Sequence, residues 1–126
     1  MVPAEIRKEI ALLFLQLVIA GKIDEAFNTC IGPGFVHHNP FFPGDAKSLA
    51  RGMRENEAEF PGKILGIKHV LEQGDLVAVH SHLLLKPGKT EYAAVHLFRF
   101  EQDHIVELWD LVQSVPSGSP NKNSMF

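Results

Sequence analysis

The stretch that most constrains the fold is AAVHLFRFEQDHIVELWDLVQSV, residues 93–115. It predicts two long antiparallel strands that are joined by a tight polar turn at residues 101–104. Successive side chains of a strand alternate between the two faces of a sheet, so residues of one parity share a face. The even-numbered residues of both strands are mainly apolar. We therefore expect a sheet that buries the even-numbered face of this hairpin.

Two titratable residues lie on that even-numbered face, His96 in the first strand and Asp110 in the second. If the turn centres near Asp103, His96 and Asp110 lie opposite each other. A slip of one residue would turn one strand over, so this prediction depends on the register. The pair is the first candidate for acid–base chemistry.

The composition is that of an ordinary single globular domain, with 126 residues, 45% hydrophobic and 21% charged. A net charge of −3 argues against the basic surface of a nucleic-acid-binding protein. The lone Cys30 rules out an internal disulfide and favours a reducing, cytoplasmic location. We expect one domain in residues 1–116 and a flexible C-terminal tail in residues 117–126.

Three helices are predicted ahead of the main strands. Apolar residues spaced by three and four between Ile6 and Val18 predict the first helix, with Pro3 in its first turn and Gly21 at its end. Acidic residues among its basic ones favour a buried helix over a leader peptide, and its apolar run is too short to span a membrane. Residues 24–29 predict a second helix, and Asp45 is the expected N-cap of a third.

The remaining strands are predicted at residues 35–39, 63–71 and 76–85. A turn at Pro87–Gly88 would then place His80 opposite His96. These elements predict an α+β fold in which three N-terminal helices pack on a curved antiparallel sheet. The concave, mainly apolar space between helices and sheet is the default binding site.

Five titratable residues are predicted to converge on that space: His38, His80, His82, His96 and Asp110. Desolvation raises the pKa of a buried carboxyl and a nearby imidazolium lowers it, so a His–Asp pair can move protons near neutral pH. We expect Asp110 to transfer the proton, and His96 with His38 to hydrogen-bond a developing enolate or a catalytic water. The alternative is structural: Asp110 satisfies a buried donor, and His80 and His82 are half-buried sheet residues.

A metal site is the rival chemistry. His80 and His82, with His96 and Asp110, offer three nitrogens and one oxygen to a divalent metal. The spacing is not specific, and the sequence contains no HExxH, P-loop, GxGxxG or GxSxG motif. We predict no metal and no cofactor, and keep the histidine-rich metal site as an alternative.

The odd-numbered residues of the last three strands form a second face that is too apolar to be left exposed. Arg99 and Trp109 on this face are residue types that are enriched at subunit interfaces. The apolar members of the face are Val77, Val79, Leu83, Leu85, Val95, Leu97, Trp109 and Leu111. This pattern predicts a dimer through the sheet, or a cover provided by the tail.

Three segments resemble the SnoaL-like branch of the NTF2-like superfamily: FVHHNPF (35–41), GDLVAVHSH (74–82) and HLFRFEQDHIVELWDLVQ (96–113). The resemblance covers nearly the whole chain and implies a cone-shaped α+β barrel, commonly a homodimer through the sheet. In the polyketide cyclases of this family, a Trp-Asp strand supplies the aspartate acid/base of an intramolecular aldol condensation, and the neighbouring strand supplies a histidine. These roles map onto Asp110 and His96. The cyclases bind no cofactor or metal.

The same superfamily contains ketosteroid isomerase, whose functional residues are not retained here. Its aspartate base would align with Asn39, its oxyanion-hole aspartic acid near His96, and its first-helix tyrosine near Phe14. Ketosteroid isomerisation is therefore disfavoured. We expect an apolar or polyketide-like carbonyl compound to be bound by Asn39, Phe14, His80, His82 and Phe98. The alternative is a non-catalytic ligand-binding or assembly module, since membership of this superfamily does not guarantee that a protein catalyses a reaction.

Overall fold

The computed structural model describes the backbone of residues 4–86 and 90–126 and the side chains of residues 6–86 and 90–126. The predictions for Pro3 and for the turn at Pro87–Gly88 lie outside the described residues. Within them the elements are α1 (Ala4–Ile19), α2 (Ile23–Cys30), β1 (Ile31–His37), α3 (Ala46–Glu59), β2 (Ile64–Gln73), β3 (Leu76–Leu85), β4 (Thr90–Glu101) and β5 (His104–Ser114).

The strands form one open sheet in the order β1-β5-β4-β3-β2, and the helices pack on one of its faces. The predicted α+β class is therefore confirmed. The neighbours from β2 to β5 are antiparallel, as expected, but β1 runs parallel to β5. The sheet is mixed rather than purely antiparallel. A parallel pair needs a long connection, and here α3 and three strands separate the two partners in sequence.

The β4–β5 hairpin has the predicted register, with His96 opposite Asp110. The register changes by one residue between Arg99 and Phe100, so that Phe100 pairs with Ile105. A β-bulge of this kind shifts one strand locally without turning over the rest of the hairpin. On the side of the bulge away from the turn, the even-numbered residues of both strands therefore face the helices. We call this side of the sheet the inner face.

The register of β3 on β4 differs from the prediction by one residue, because Val79 rather than His80 lies opposite His96. This shift turns β3 over, so its odd-numbered residues face inward and His80 and His82 face outward. The odd-numbered residues of β3 with no exposed surface are Val77, Val79 and Ser81. The prediction assumed a turn centred at Gly88. Alternation could not correct it, because β3 is apolar on both faces.

The core lies between the inner face and α1. Helix α1 packs across β2 and β3 and also contacts α2. Phe14 is fully buried, and its ring centroid lies 6.0 Å from that of Phe98 and 5.5 Å from that of Phe27, both in edge-on arrangements. Aromatic pairs with this geometry are favourable beyond the area that they bury. Phe14 and Phe98 therefore contribute primarily to the hydrophobic core.

Two predicted helix boundaries are confirmed. Gly21 has a φ of +81°, a left-handed conformation that glycine adopts at low cost, and it follows the end of α1. At the start of α3, the Asp45 carboxylate accepts a hydrogen bond from the Ser48 backbone N at 3.0 Å. Hydrogen bonds from the Ser48 hydroxyl and backbone lower the pKa of Asp45. None of the helices described combines the length and apolarity that crossing a membrane requires.

Candidate active site

A cavity of about 200 Å³ lies on the inner side of the sheet, where α1, α3, β5 and the loop after β1 meet. Its apolar wall includes Val18, Phe42, Leu49 and Met53, and Gly52 of α3 completes that side. The polar groups on its surface belong to Asn39, Asn56, Lys63 and Asp110. An apolar concave space with a few polar groups is the expected form of a ligand site.

Asp110 reaches this cavity because alternation along β5 directs it inward. Asn39 Nδ2 donates a hydrogen bond to Asp110 Oδ2 at 3.0 Å, and Asn39 Oδ1 accepts one from the Phe41 backbone N at 2.9 Å. The second carboxylate oxygen, Oδ1, is buried and has no hydrogen-bond partner in the described part of the chain. Buried oxygens are nearly always hydrogen-bonded, so this atom is available to a ligand or a substrate proton.

His96 faces Asp110 across the β4–β5 pair. Its Nδ1 is buried and is likewise without a partner among the residues with described side chains. Burial lowers the pKa of the His96 imidazole, and the negative charge of Asp110 opposes only part of this shift. The ring is therefore neutral at neutral pH, with one nitrogen that donates a hydrogen bond and one that accepts.

His37, which was not a predicted site residue, fixes the loop that carries Asn39. It is buried, and its Nε2 donates a hydrogen bond to the Pro43 carbonyl oxygen at 2.6 Å. Its Nδ1 accepts one from the Asn39 backbone N at 3.1 Å. These partners define the tautomer, with the proton on Nε2. His37 thereby positions both Asn39 and the loop that carries Phe42 at the cavity.

His38 lies on the outer face instead of in the cavity, so its predicted convergence with Asp110 is wrong. Its Nε2 lies 2.6 Å from Glu107 Oε2, and its ring stacks on Trp109 with 4.7 Å between centroids. Glu107 also accepts a hydrogen bond from Arg99 Nε at 2.7 Å. The hydrogen bonds from His38 and Arg99 lower the pKa of Glu107. The physical reason is alternation: β1 directs His37 inward, so the next side chain points outward.

His80 and His82 also lie on the outer face, where they contact the C-terminal tail. His80 Nδ1 lies 2.9 Å from His69 Nδ1, and its Nε2 donates a hydrogen bond to the Met125 carbonyl oxygen at 3.1 Å. The Phe126 ring stacks on His82 with 4.2 Å between centroids. The expected convergence of these two histidines on the Asp110 cavity is therefore wrong, as a consequence of the shifted β3 register.

The same shift separates the four donors of the alternative metal site. His80 and His82 face outward, whereas His96 and Asp110 face inward. No group of three or more histidine, cysteine or acidic side chains is arranged to hold a metal ion in the part of the chain that the structure describes. The donor set proposed from the sequence is thus not assembled.

Lys63 is the charged cavity residue that sequence reasoning missed, and Asn56 was not predicted either. The Lys63 side chain is only 4% exposed, and its ammonium forms an ion pair with Glu57. Glu57 packs against Gly21, where an added Cβ would lie 2.8 Å from Glu57 Oε1. Charged residues on α3 are typical of a solvated helix face, and Lys63 follows a Pro-Gly pair that is typical of an exposed turn. No periodic pattern in the sequence places either residue inside.

Comparison with known proteins gives one family match, because residues 12–108 match the model of the SnoaL-like domain. This match ends two residues before Asp110 and assigns that residue no role. No curated protein matches the sequence.

Several solved structures share the fold. AclR from Streptomyces galilaeus, proposed to be a hydroxylase, has a TM-score of 0.76 and 18% identity over 88% of this chain and 81% of AclR. IdmH from Streptomyces antibioticus, proposed to be a polyketide cyclase, has a TM-score of 0.72 and 18% identity over 85% of this chain and 91% of IdmH. A protein from Jannaschia sp. CCS1, proposed to be a SnoaL-like polyketide cyclase, has a TM-score of 0.75 and 15% identity over 90% of both chains.

Proposed function

This chain belongs to the SnoaL-like domain family, and on that premise we propose that it catalyses acid–base chemistry on an apolar carbonyl compound in the cavity beside Asp110. The proposed reaction is an aldol condensation, a cyclisation or a related proton transfer. The observation that carries the proposal is the carboxylate of Asp110, with one oxygen held by Asn39 and the other buried without a described partner. The proposed cyclase activity of two proteins with this fold supports the reaction class.

In the proposed reaction, the Asp110 carboxylate accepts a proton from the carbon next to the substrate carbonyl. The electron pair of the broken C–H bond forms an enolate, whose carbon attacks a second carbonyl carbon. The new C–C bond leaves an alkoxide, which takes the proton back from Asp110. Asn39 holds the carboxylate in one orientation throughout. His96, with a neutral ring opposite Asp110, hydrogen-bonds a catalytic water or a substrate oxygen.

The test is Asp110→Asn in a turnover assay on a panel of small carbonyl compounds. The amide keeps the shape of the carboxylate but cannot accept the proton, so we expect kcat to fall by about 10²–10⁴-fold. The matched control is Glu107→Gln, which makes the same change on the outer face of the same strand and keeps the wild-type kcat. Near wild-type turnover of Asp110→Asn would contradict the proposal.

A non-catalytic ligand-binding module is the second candidate, because the unpartnered Asp110 Oδ1 and His96 Nδ1 could equally satisfy a bound ligand. This function predicts that Asp110→Asn and His96→Ala retain the biological activity. A bulky change in the cavity wall, Met53→Trp, would abolish it. An enzyme instead loses activity in all three variants.

We also infer a homodimer that forms through the outer face of the sheet. Leu71 and Leu111 on this face are 68% and 67% exposed, and Val95 is 38% exposed. Exposed apolar surface of this kind is typical of association sites. Sedimentation equilibrium should give a dimer for the wild type and a monomer for Leu111→Asp. A wild-type monomer at micromolar concentration would rule the dimer out.

Cytoplasmic localisation stays a prediction, and we base it on Cys30. This thiol is free and buried, and burial raises its pKa to about 11. A lone protonated thiol suits a reducing compartment, where disulfides are rare. Cell fractionation would test it, and recovery outside the cytoplasm would contradict it.

A further inference from the structure

We propose that Lys63 is the anion-binding residue of the Asp110 cavity, and that this cavity takes a small substrate of about one ring whose oxygen becomes negatively charged. This inference rests on the proposed function for the identity of the reacting oxygen. It adds the charge and the size of the ligand, which neither the family match nor the fold assigns.

The first observation is the position of the Lys63 ammonium. A lysine side chain that is only 4% exposed is unusual. An ammonium has three N–H donors, and within the described residues its partner is the single carboxylate of Glu57. Lys63 also lines the cavity together with Asn56 and Asp110. The ammonium therefore keeps donors beyond its bond to Glu57, and we infer that a ligand in the cavity uses them.

The second observation concerns Glu57, the partner of Lys63. Its carboxylate lies against Gly21, where an added Cβ would lie 2.8 Å from Glu57 Oε1. By contrast, the ion pair of Arg54 with Asp24 has side chains that are 51% and 81% exposed, and solvent screens a pair of that kind. The side chains of Glu57 and Lys63 are only 24% and 4% exposed, so solvent screens this pair much less. We infer that Glu57 positions the Lys63 ammonium at the cavity wall.

The third observation concerns where charge moves. When Asp110 accepts a proton it becomes neutral, and the negative charge passes to the substrate oxygen. Preorganised donors aimed at the atom where charge develops give the largest single contribution in many enzymes. Lys63 and Asp110 lie on the same cavity of about 200 Å³, so one small molecule can contact both. The pair thus provides a base at one point and a cation for the resulting enolate at another.

The volume of the Asp110 cavity limits the size of the ligand. An apolar cavity of roughly 150 Å³ can hold benzene, whereas sites for drug-sized ligands occupy about 300–1,000 Å³. At about 200 Å³, this cavity fits one substituted ring or an acyclic compound of similar size. A fused multi-ring polyketide is too large to be enclosed in it. The substrate class is therefore a monocyclic or short-chain enolisable carbonyl compound.

Binding of matched probes tests the inference without any reaction. The background is Asp110→Asn, which mimics the protonated base and removes its repulsion of anions. Benzoate and benzamide share shape but differ in charge, and the NMR signals of the Asn39 and Asn56 side-chain amides report binding. Since a hydrogen bond to a charged group contributes about tenfold to a hundredfold in affinity, we expect benzoate to bind at least about tenfold more tightly than benzamide. Anthracene-2-carboxylate should not perturb these signals.

The preference for benzoate should disappear when Lys63→Met is added and persist when Lys68→Met is added, because Lys68 is exposed on β2. If the Lys63→Met protein is unstable, Glu57→Gln with Lys63→Met removes both charges of the buried pair. Equal binding of benzoate and benzamide, a preference that survives Lys63→Met, tighter binding of anthracene-2-carboxylate, or no binding at millimolar benzoate would each overturn the inference. Near wild-type turnover of Asp110→Asn would instead overturn only the proposed function.

Discussion

The inner and outer faces of the β4–β5 hairpin differ in how their titratable groups are satisfied. On the outer face, Glu107 accepts hydrogen bonds from both His38 and Arg99. On the inner face, Asp110 accepts one, and both its Oδ1 and His96 Nδ1 are buried without partners among the described side chains. The faces carry the same kinds of residue, so pairing and burial, rather than residue type, mark the functional candidates.

The energetics of the two faces differ accordingly. Exposed ion pairs contribute about 0–1 kcal/mol each to stability, because water and salt screen them. A buried polar atom without a partner costs about 1–3 kcal/mol. The outer groups are therefore mildly stabilising, whereas the inner groups lower stability. Groups that cost stability in the free protein are the ones that a ligand can satisfy.

The largest difference between the faces should appear on truncation of apolar side chains. Phe98→Ala removes a fully buried ring on the inner face and should lower the free energy of unfolding by about 3–5 kcal/mol. Val36→Ala, at a residue that is 43% exposed, should change it by less than about 0.5 kcal/mol. Urea denaturation measures both. Equal losses would show that the helices do not bury the inner face as described.

Two glycines provide a sharper comparison. At Gly52 an added Cβ would lie 2.5 Å from the ring of Phe42, whereas at Gly66 the nearest atom, in His82, lies at 3.9 Å. Gly52→Ala displaces a ring of the cavity wall and should cost about 1–2 kcal/mol. Gly66→Ala should be neutral or slightly stabilising, since it reduces the entropy of the unfolded chain. Urea denaturation of the two variants measures these changes in the free energy of unfolding. A destabilised Gly66→Ala would contradict the free space beside Gly66 on the outer face.

The pH dependence of stability should separate the two faces further. Burial lowers the pKa of His96 below its unfolded value, so the unfolded chain binds more protons and stability falls as pH drops below about 6.5. His96→Phe should remove this part of the slope, while His104→Phe at the exposed turn should retain it. The lowered pKa of Glu107 acts in a different window: the stability it contributes is lost only as pH falls below about 4.3.

Urea midpoints measured between about pH 7.5 and 5 test the His96 prediction. An unchanged slope in His96→Phe would mean that His96 is solvated in the folded protein. It would also remove the basis for a neutral imidazole beside Asp110.

The hairpin register could be predicted because the polar turn at residues 101–104 is short and each flanking strand has a more polar face. The pairing of His96 with Asp110 followed from that pattern. The β3 register could not be predicted, since Val77, Ala78 and Val79 are all apolar and either face of the strand could be the buried one. The parallel pairing of β1 has no local signal at all, because its partner is distant in sequence.

The same distinction holds for the site. Asp110 and Asn39 were each predicted as site residues, and the structure places their side chains 3.0 Å apart. His38 was misplaced because the HH pair at the end of β1 leaves open which histidine faces inward. Lys63 was missed because its burial depends on Glu57, whose carboxylate lies against Gly21 just after the end of α1. The contact between Glu57 and the distant Gly21 is not encoded in any local pattern.

The smallest effect should come from the tail contact on the outer face. Phe126→Ala removes the ring that stacks on His82 and lies 5.9 Å from the Lys68 ammonium. Contacts of this kind contribute about 0.5–1.5 kcal/mol. We therefore expect the free energy of unfolding to fall by an amount near the lower limit of this range. NMR signals should shift at His82 and not at the Asn39 amide. Phe41→Ala, at a ring that is 85% exposed, should leave the His82 signals unchanged. A shift at Asn39 in Phe126→Ala would mean that the outer histidines and the inner cavity are coupled through β3, and that the outer face is more than a structural surface.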